Sequence, residues 1–164
     1  MEKQIYESPL GEIILAAHGG ALAGLWFKGQ KYEQAGLGKL SGSEAEGQAD
    51  KTVLAMAARW LDGYFAGEAQ EVDFLVQPHG TAFQRRVWAA LLEIPRGETL
   101  SYGALAQRLG CRSARAVGAA VGRNPVSVII PCHRVLGSGG ALTGYAGGIE
   151  RKRTLLELEG VNII

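Results

Sequence analysis

Ile130-Pro131-Cys132-His133-Arg134 sets a potential sulfur nucleophile beside a potential base, directly after what reads as a short apolar strand. Asn124-Pro125 stands eight residues upstream of Cys132, and an acid, Glu159, lies near the C-terminus. A thiol is mostly protonated at neutral pH, so a reacting cysteine needs a neighbour that takes or stabilises its proton. His133 can take that proton, and Glu159 can orient the imidazole as the third member of a relay. A Cys-His pair alone does not define a site, because small buried cysteines are common core residues. The surroundings have to decide.

Upstream, Thr81-x-x-Gln84 reads as a capping box for a helix running to about Glu93, broken by Ile94-Pro-Arg-Gly97. Ser101 can cap a short helix from Tyr102 to Leu109, closed by Gly110, and Ser113 a second from Ala114 to about Arg123. Two short helices about a tight turn make a helix-turn-helix candidate. In the second helix Ala114, Ala116, Gly118, Ala119, Ala120 and Gly122 are all small. Glycine weakens a helix by about 1 kcal/mol relative to alanine, so this composition needs a reason. Tight helix packing is one, close approach to a nucleic-acid groove another, and both can hold on opposite faces.

Charge is divided along the chain. Residues 1–75 carry six Lys/Arg against eleven Asp/Glu, and residues 76–164 carry eleven against five. Between Glu98 and Glu150 there is no acid, while Arg108, Arg112, Arg115, Arg123 and Arg134 fall in that interval. On charge alone this is a solvated basic surface; overlapping the helix pair, it favours a polyanion.

The first half shows no chemistry. Gly11–Ala17 and Ala21–Phe27 around His18-Gly19-Gly20 read as a hairpin, and Gly36–Gly47 as a mobile loop. Val53, Met56, Ala57, Trp60, Leu61 and Phe65 recur at helical spacing over Ala49–Phe65. Glu71–Leu75 is a candidate strand, and Gln77–Gly80 a linker. At 164 residues and 47% hydrophobic, the chain can bury one good core or two small ones. Its two cysteines, Cys111 and Cys132, give neither a disulfide framework nor a metal knuckle, and its three histidines are scattered. The N-terminus lacks the pattern of a signal peptide and no apolar run is long enough for a bilayer, so a cytoplasmic protein is expected.

Read at length, Arg115-Ala-Val-Gly-Ala-Ala-Val-Gly-Arg-Asn-Pro-Val-Ser-Val-Ile-Ile-Pro-Cys-His-Arg-Val135 resembles the O6-alkylguanine-DNA alkyltransferases, or methylated-DNA–protein-cysteine methyltransferases. The likeness continues through Gly144-Tyr-Ala-Gly-Gly148 and Leu158-Glu-Gly160, and upstream through Thr81–Trp88 and Ile94–Tyr102. It implies a two-domain α/β protein. A small ribonuclease-H-like supporting domain is expected over residues 1–75, a linker over 76–79, and a winged-helix-like helix-turn-helix domain over 80–164. The implied function is repair of O6-alkylguanine, and of O4-alkylthymine, in double-stranded DNA bound through the minor groove. The base is flipped out, and the alkyl group passes to Cys132 once per molecule.

Residue by residue, the likeness implies that His133 takes the Cys132 proton through water, with Glu159 orienting it. Tyr102 donates to the flipped guanine, and Asn124 fixes the turn before the reactive residue. Arg115 fills the vacated base stack; a phosphate contact is its other reading. The carbonyls of Cys132 and Val135 accept from the guanine amine, the Ala146 N–H donates to O6, and Tyr145 forms pocket wall. Ala114, Ala116 and Ala119, with Arg108, Arg112 and Arg123, are the expected DNA contacts. Arg134 is left open between phosphate and an internal acid, and Cys111 is a bystander. Some family members hold zinc in the N-terminal domain through Cys and His; with no cysteine there, neither metal nor cofactor is expected, and a monomer is. Two other classes stay open: a non-catalytic lesion binder, which would lack the cysteine, and a thiol peptidase, which would not need the arginine-rich helix pair.

Overall fold

In the computed structural model, residues 1–37 and 47–163 are described. Strands β1 (Glu2–Ser8), β2 (Gly11–His18) and β3 (Ala21–Phe27) form an antiparallel meander in that order. The β2–β3 hairpin lies where its glycine turn predicts, with a bulge between Ala16 and Ala17. β1 is additional: Glu2, Lys3, Gln4 and Glu7 give it no apolar alternation, and it rides as a polar edge strand with Ile5 exposed. Most of the predicted mobile loop, residues 38–46, lies outside the described residues.

Helix α1 (Gly47–Phe65) packs on the sheet through Val53, Leu54, Ala57, Leu61 and Tyr64. These meet Ile13, Leu15, Leu25 and Phe27, while Ile14, Ala16, Trp26 and Leu37 fill the opposite face of the sheet. No strand forms over Glu71–Leu75. Instead the exposed edge of β3 takes one bridge from the connecting segment, with Leu22 N–H donating to Leu75 O and Gln77 N–H to Leu22 O, both at 2.8 Å. Val72 and Leu75 are exposed, and of the run's apolar side chains only Phe74 packs against the core.

Helix α2 (Ala82–Leu91) carries the complete capping box of Thr81 and Gln84. After it come β4 (Leu100–Ser101), α3 (Tyr102–Arg108) and α4 (Ala114–Gly122), with Ser101 and Ser113 as side-chain N-caps. β4 pairs in parallel with β5 (Val135–Leu136), and α5 (Ile149–Leu158) closes the chain. Val117, Ala120 and Val121 turn α4 inward, and the Trp88 indole N–H donates to Ala120 O at 2.8 Å, which fixes α4 against α2.

The apolar run before Cys132 is not a strand. It is a succession of turns through Val128, whose φ of 70° is unusual for a β-branched residue. It too docks on the β3 edge: Leu25 N–H donates to Pro125 O at 2.8 Å and Ser127 N–H to Leu25 O at 2.9 Å. One strand edge therefore anchors both the connection between the halves and the segment that delivers the reactive turn. A single apolar cluster runs from Ile13 through Trp88 to Leu155. The two halves share one core.

Candidate active site and nucleic-acid interface

Cys132, His133 and Arg134 form one turn of 3₁₀ helix, with Cys132 6% and His133 0% exposed. The turn is held from behind by Asn124, whose amide donates to Ile130 O at 2.8 Å and accepts from Val126 N–H at 3.0 Å. One side chain thus spans both ends of the strained segment around Val128. Burial pushes the Cys132 thiol above its ordinary range, and a hydrogen bond from Asn124, the Lys152 ammonium and nearby backbone N–H groups oppose it. At rest the sulfur holds its proton.

His133 Nε2 lies 2.6 Å from Glu159 Oε2, and both side chains are inaccessible to solvent. Burial pushes the imidazole pKa down, Glu159 pulls it up, and the nearby Arg134 and Lys152 charges push it down again; the balance favours neutral imidazole. With the proton on Nε2 facing the carboxylate, Nδ1 is the basic nitrogen. It is buried and bonded to no protein group among the described residues.

Glu159 is a hub. Arg134 donates through Nε to Oε1 at 2.7 Å and through Nη2 to Oε2 at 3.1 Å, and the Tyr64 hydroxyl donates to Oε2 at 2.6 Å. Burial alone would raise the Glu159 carboxyl; His133, Arg134 and Tyr64 outweigh it and hold it well below the usual carboxylate range. Arg134 is therefore committed to an internal acid, with a third bond to Ile94 O at 2.7 Å.

In front of the reactive turn, Tyr102 and Tyr145 both lie within electrostatic reach of the sulfur. The Tyr102 hydroxyl donates to Gly144 O at 3.3 Å, and Tyr145 buries its hydroxyl beside Ser127. Gly147 must be small: a Cβ there would come within 2.7 Å of the Tyr145 ring and 3.1 Å of Phe27. The Ala146 carbonyl accepts from Lys31 N–H at 3.2 Å, while its own N–H has no acceptor among the described residues. The Val135 carbonyl accepts from Lys152 and the Cys132 carbonyl from Val135 N–H. A carbonyl has two lone pairs, so each keeps one.

These walls open on a groove of about 1250 Å³ lined by Tyr102, Ala114, Arg115, Ala116, Gly118 and Ala119 of the helix pair and by Thr143–Ala146. Ala114, Arg115, Ala116 and Ala119 are exposed, so α4 presents its small residues outward and its branched ones inward. Arg108, Arg112 and Arg123 are exposed too, and Cys111, half-buried, packs against the core with its thiol 3.6 Å from Ser113 O. The structure thus brings Cys132, His133, Glu159, Asn124, Tyr102, Tyr145, Val135 and Ala146 together. Arg115 and the three alanines sit on the adjoining groove; Arg108 and Arg112 stand outside its lining.

Four residues escape the sequence pattern. Tyr64, read only as helix, reaches the hub across 95 residues of chain. Lys152 is fully buried in α5. Lys31 and Tyr32 from the acid-rich half line the groove, and the Arg123 guanidinium stacks 3.8 Å from the Tyr32 ring centroid. No group of three or more His, Cys, Asp or Glu side chains fit to hold a metal occurs among the described residues, and none of their helices is long and apolar enough to cross a membrane.

Fold and site define a two-domain α/β protein with a buried cysteine backed by a His–Glu pair. Residues 1–78 match the family model of the 6-O-methylguanine DNA methyltransferase ribonuclease-like domain, and residues 82–161 that of its DNA binding domain. The chain belongs to the 6-O-methylguanine DNA methyltransferase family. It is 49% identical over 154 residues to the methylated-DNA–protein-cysteine methyltransferase of Mycobacterium leprae, covering 93% of this chain and 88% of the relative. It is 44% identical to that of Methanosarcina acetivorans over 95% of this chain and 96% of the relative. The crystal structure of Mycobacterium tuberculosis OGT in complex with DNA superposes with a TM-score of 0.82 at 44% identity, covering 97% of this chain and 92% of that one.

Proposed function

We propose that this chain repairs double-stranded DNA by moving the alkyl group of O6-alkylguanine, or of O4-alkylthymine, onto Cys132, once per molecule and as a monomer. Alkyl transfer from DNA to a protein cysteine comes with membership of the family; the residue roles and the single turnover are our reading. The observation that carries it is the buried thiol beside a His133 whose Nε2 is committed to Glu159 at 2.6 Å, leaving Nδ1 as base. In the first step His133 takes the thiol proton, through water where the separation requires it. Sulfur then bonds to the alkyl carbon as the carbon–O6 bond breaks, and the electron pair leaves with guanine.

The leaving purine is helped by proton donation from Tyr102 and by hydrogen bonds from the Ala146 N–H to O6 and from the guanine amine to the Cys132 and Val135 carbonyls. The product is a thioether. It has no carbonyl for water to attack, so the thiol is not regenerated.

An alkyl group on guanine O6 is buried in a stacked duplex, so the base must be extruded at a cost of a few kcal/mol. The exposed small-residue face of α4 suits close approach to the minor groove, and Arg115 beside it suits the vacated stack. Residues 80–164, joined through 76–79, carry the reaction, and residues 1–75 support it. Incubation with a duplex holding a labelled methyl group tests this: one label per chain at Cys132 is expected. Repeated turnover, or label at Cys111, would refute it.

A further inference from the structure

Glu159 Oε2 takes three donors: His133 Nε2 and the Tyr64 hydroxyl, each at 2.6 Å, and Arg134 Nη2 at 3.1 Å. Oε1 takes Arg134 Nε at 2.7 Å. A carboxylate oxygen offers about two lone-pair sites, so the three donors on Oε2 draw on the same charge. His133 and Arg134 belong to the reactive turn, whereas Tyr64 comes from α1 in the first half and plays no part in the chemistry above. Its ring has contacts of its own. It stacks on Trp60 at 5.3 Å, meets Phe65 edge-on at 5.3 Å and lies 5.3 Å from the Arg96 guanidinium. Burial, and after it the Glu159 charge, push the phenol pKa far above its ordinary 10, so the hydroxyl keeps its proton and donates.

We infer that Tyr64 is a positioning residue that tempers the proton relay through Glu159. By occupying Oε2 it limits the pull of the carboxylate on the His133 imidazole, which keeps the Cys132 thiol protonated until a lesion base is seated. The inference rests on Cys132 and His133 as the reacting pair.

The chemistry gives such a brake a use. When the thiol proton passes to His133, the imidazolium donates its Nε2 proton to Oε2, and a stronger acceptor there favours the transfer. A donor already on that oxygen opposes it. A thioether is not reversed, so a thiolate formed in an empty pocket exposes a single-use sulfur to any electrophile or oxidant that reaches it. The charged groups facing the imidazole are Glu159, Arg134 and Lys152. Both cations also disfavour the imidazolium, but each holds backbone as well, Arg134 at Ile94 O and Lys152 at Val135 O. Tyr64 is the group whose hydroxyl can be removed with those bonds left in place.

Tyr64→Phe deletes the hydroxyl and keeps the ring. In a Cys132→Ser background, where the imidazole titrates without the thiol, NMR should place the His133 midpoint about half a pH unit higher than with Tyr64 present. With the cysteine in place, iodoacetamide should alkylate Cys132 about threefold faster at pH 7. A 3-fluorotyrosine in place of Tyr64 is a more acidic phenol and a stronger donor, so it should move both readouts the other way.

A tyrosine that only braces the fold predicts a less stable Tyr64→Phe chain with the His133 midpoint unmoved and iodoacetamide no faster, and that result overturns the inference. A midpoint that falls in Tyr64→Phe does the same. Should the Phe variant fail to fold, the fluorotyrosine chain decides, and an unmoved or raised His133 midpoint there refutes the brake. Absence of methyl transfer from DNA to wild-type Cys132 would instead sink the functional reading, and the His133 and iodoacetamide readouts would still report on Tyr64.

Discussion

The buried cluster around Glu159 and the exposed groove along α4 both hold arginine, and they use it in opposite ways. Arg134 is locked by bonds to Glu159 and to Ile94 O, in a cluster whose carboxylate also holds His133 and Tyr64. Arg108, Arg112 and Arg115 stand exposed on and beside the helix pair. In the cluster a charge is held by desolvation and fixed partners, so removing one member strands the others. In the groove a charge faces water and salt, so its loss is felt as weaker attraction to a polyanion. Substitutions in the first region should change chemistry and stability together; those in the second should change DNA response alone.

The largest effect belongs to the sulfur. Cys132→Ala should abolish methyl transfer, measured by intact mass, and retain lesion binding, since neither groove nor pocket wall is touched. Loss of duplex affinity in that variant would mean that the two regions are not separable.

Next come the proton relay and its acid. His133→Ala and Glu159→Gln should each slow Cys132 alkylation, on the order of a hundredfold for the general base, and combine less than additively because both act on one proton-transfer unit. Glu159→Gln should also cost about 3 kcal/mol of stability by stranding a buried ion-pair partner.

That cost depends on pH with a definite sign. The folded Glu159 carboxyl sits far below its ordinary 4.5. Its contribution is thus complete above that value and is lost as pH falls toward the folded pKa. His133, whose pKa is lowered chiefly by burial, acts with the same sign below its ordinary 6.5. Thermal melts of wild type and Glu159→Gln should differ most at neutral pH and converge as the solution is acidified below about pH 4. A gap that widens in acid would assign Glu159 a different ionisation.

What could be read in the sequence follows the same division. The helix pair, its Ser101 and Ser113 caps and the Thr81–Gln84 box are local signals, and each formed as spaced. The Cys-His-Arg turn was visible as a motif, but the turns before it looked like a strand. Val126, Val128, Ile129 and Ile130 are buried, and only the Asn124 clamp and docking on β3 show that the segment is not extended. Tyr64 and Lys152 gave no signal. A tyrosine on a core-facing helix and a lysine in the basic run Arg151-Lys152-Arg153 look ordinary until tertiary packing brings one to Glu159 and the other beside the sulfur. β1 was missed because a polar edge strand needs only its partner's backbone, which leaves no apolar alternation to read.

Within the groove, Arg115 should be the exception to a pure charge effect. Arg115→Ala should slow repair of duplex DNA far more than reaction with free O6-methylguanine, which needs no extrusion. Equal losses on the two substrates would remove the stack-filling role and return Arg115 to the phosphate contacts. Arg108→Ala and Arg112→Ala should leave the free-base rate unchanged and lower the salt slope of duplex binding by about one unit each.

The smallest effect sharpens the comparison most, because it lies where the acid-rich half meets the groove. Arg123 follows α4 and stacks on Tyr32 at 3.8 Å, and Tyr32 holds a left-handed φ of 63° that keeps its ring in that position. An exposed cation–π contact is worth roughly 0.5–1 kcal/mol, enough to bias a long side chain toward one orientation and too little to change folding. Arg123→Ala should therefore lower the salt slope by about one unit, as at Arg108 and Arg112. Tyr32→Ala should reduce duplex affinity by a few-fold with the slope intact, since the charge stays and only its orientation is lost. The two losses must not add: in the Arg123→Ala background, Tyr32→Ala should do nothing further to binding. An undiminished Tyr32 effect there would show that the tyrosine meets DNA directly, and the first half of the chain would then be part of the interface and not only its support.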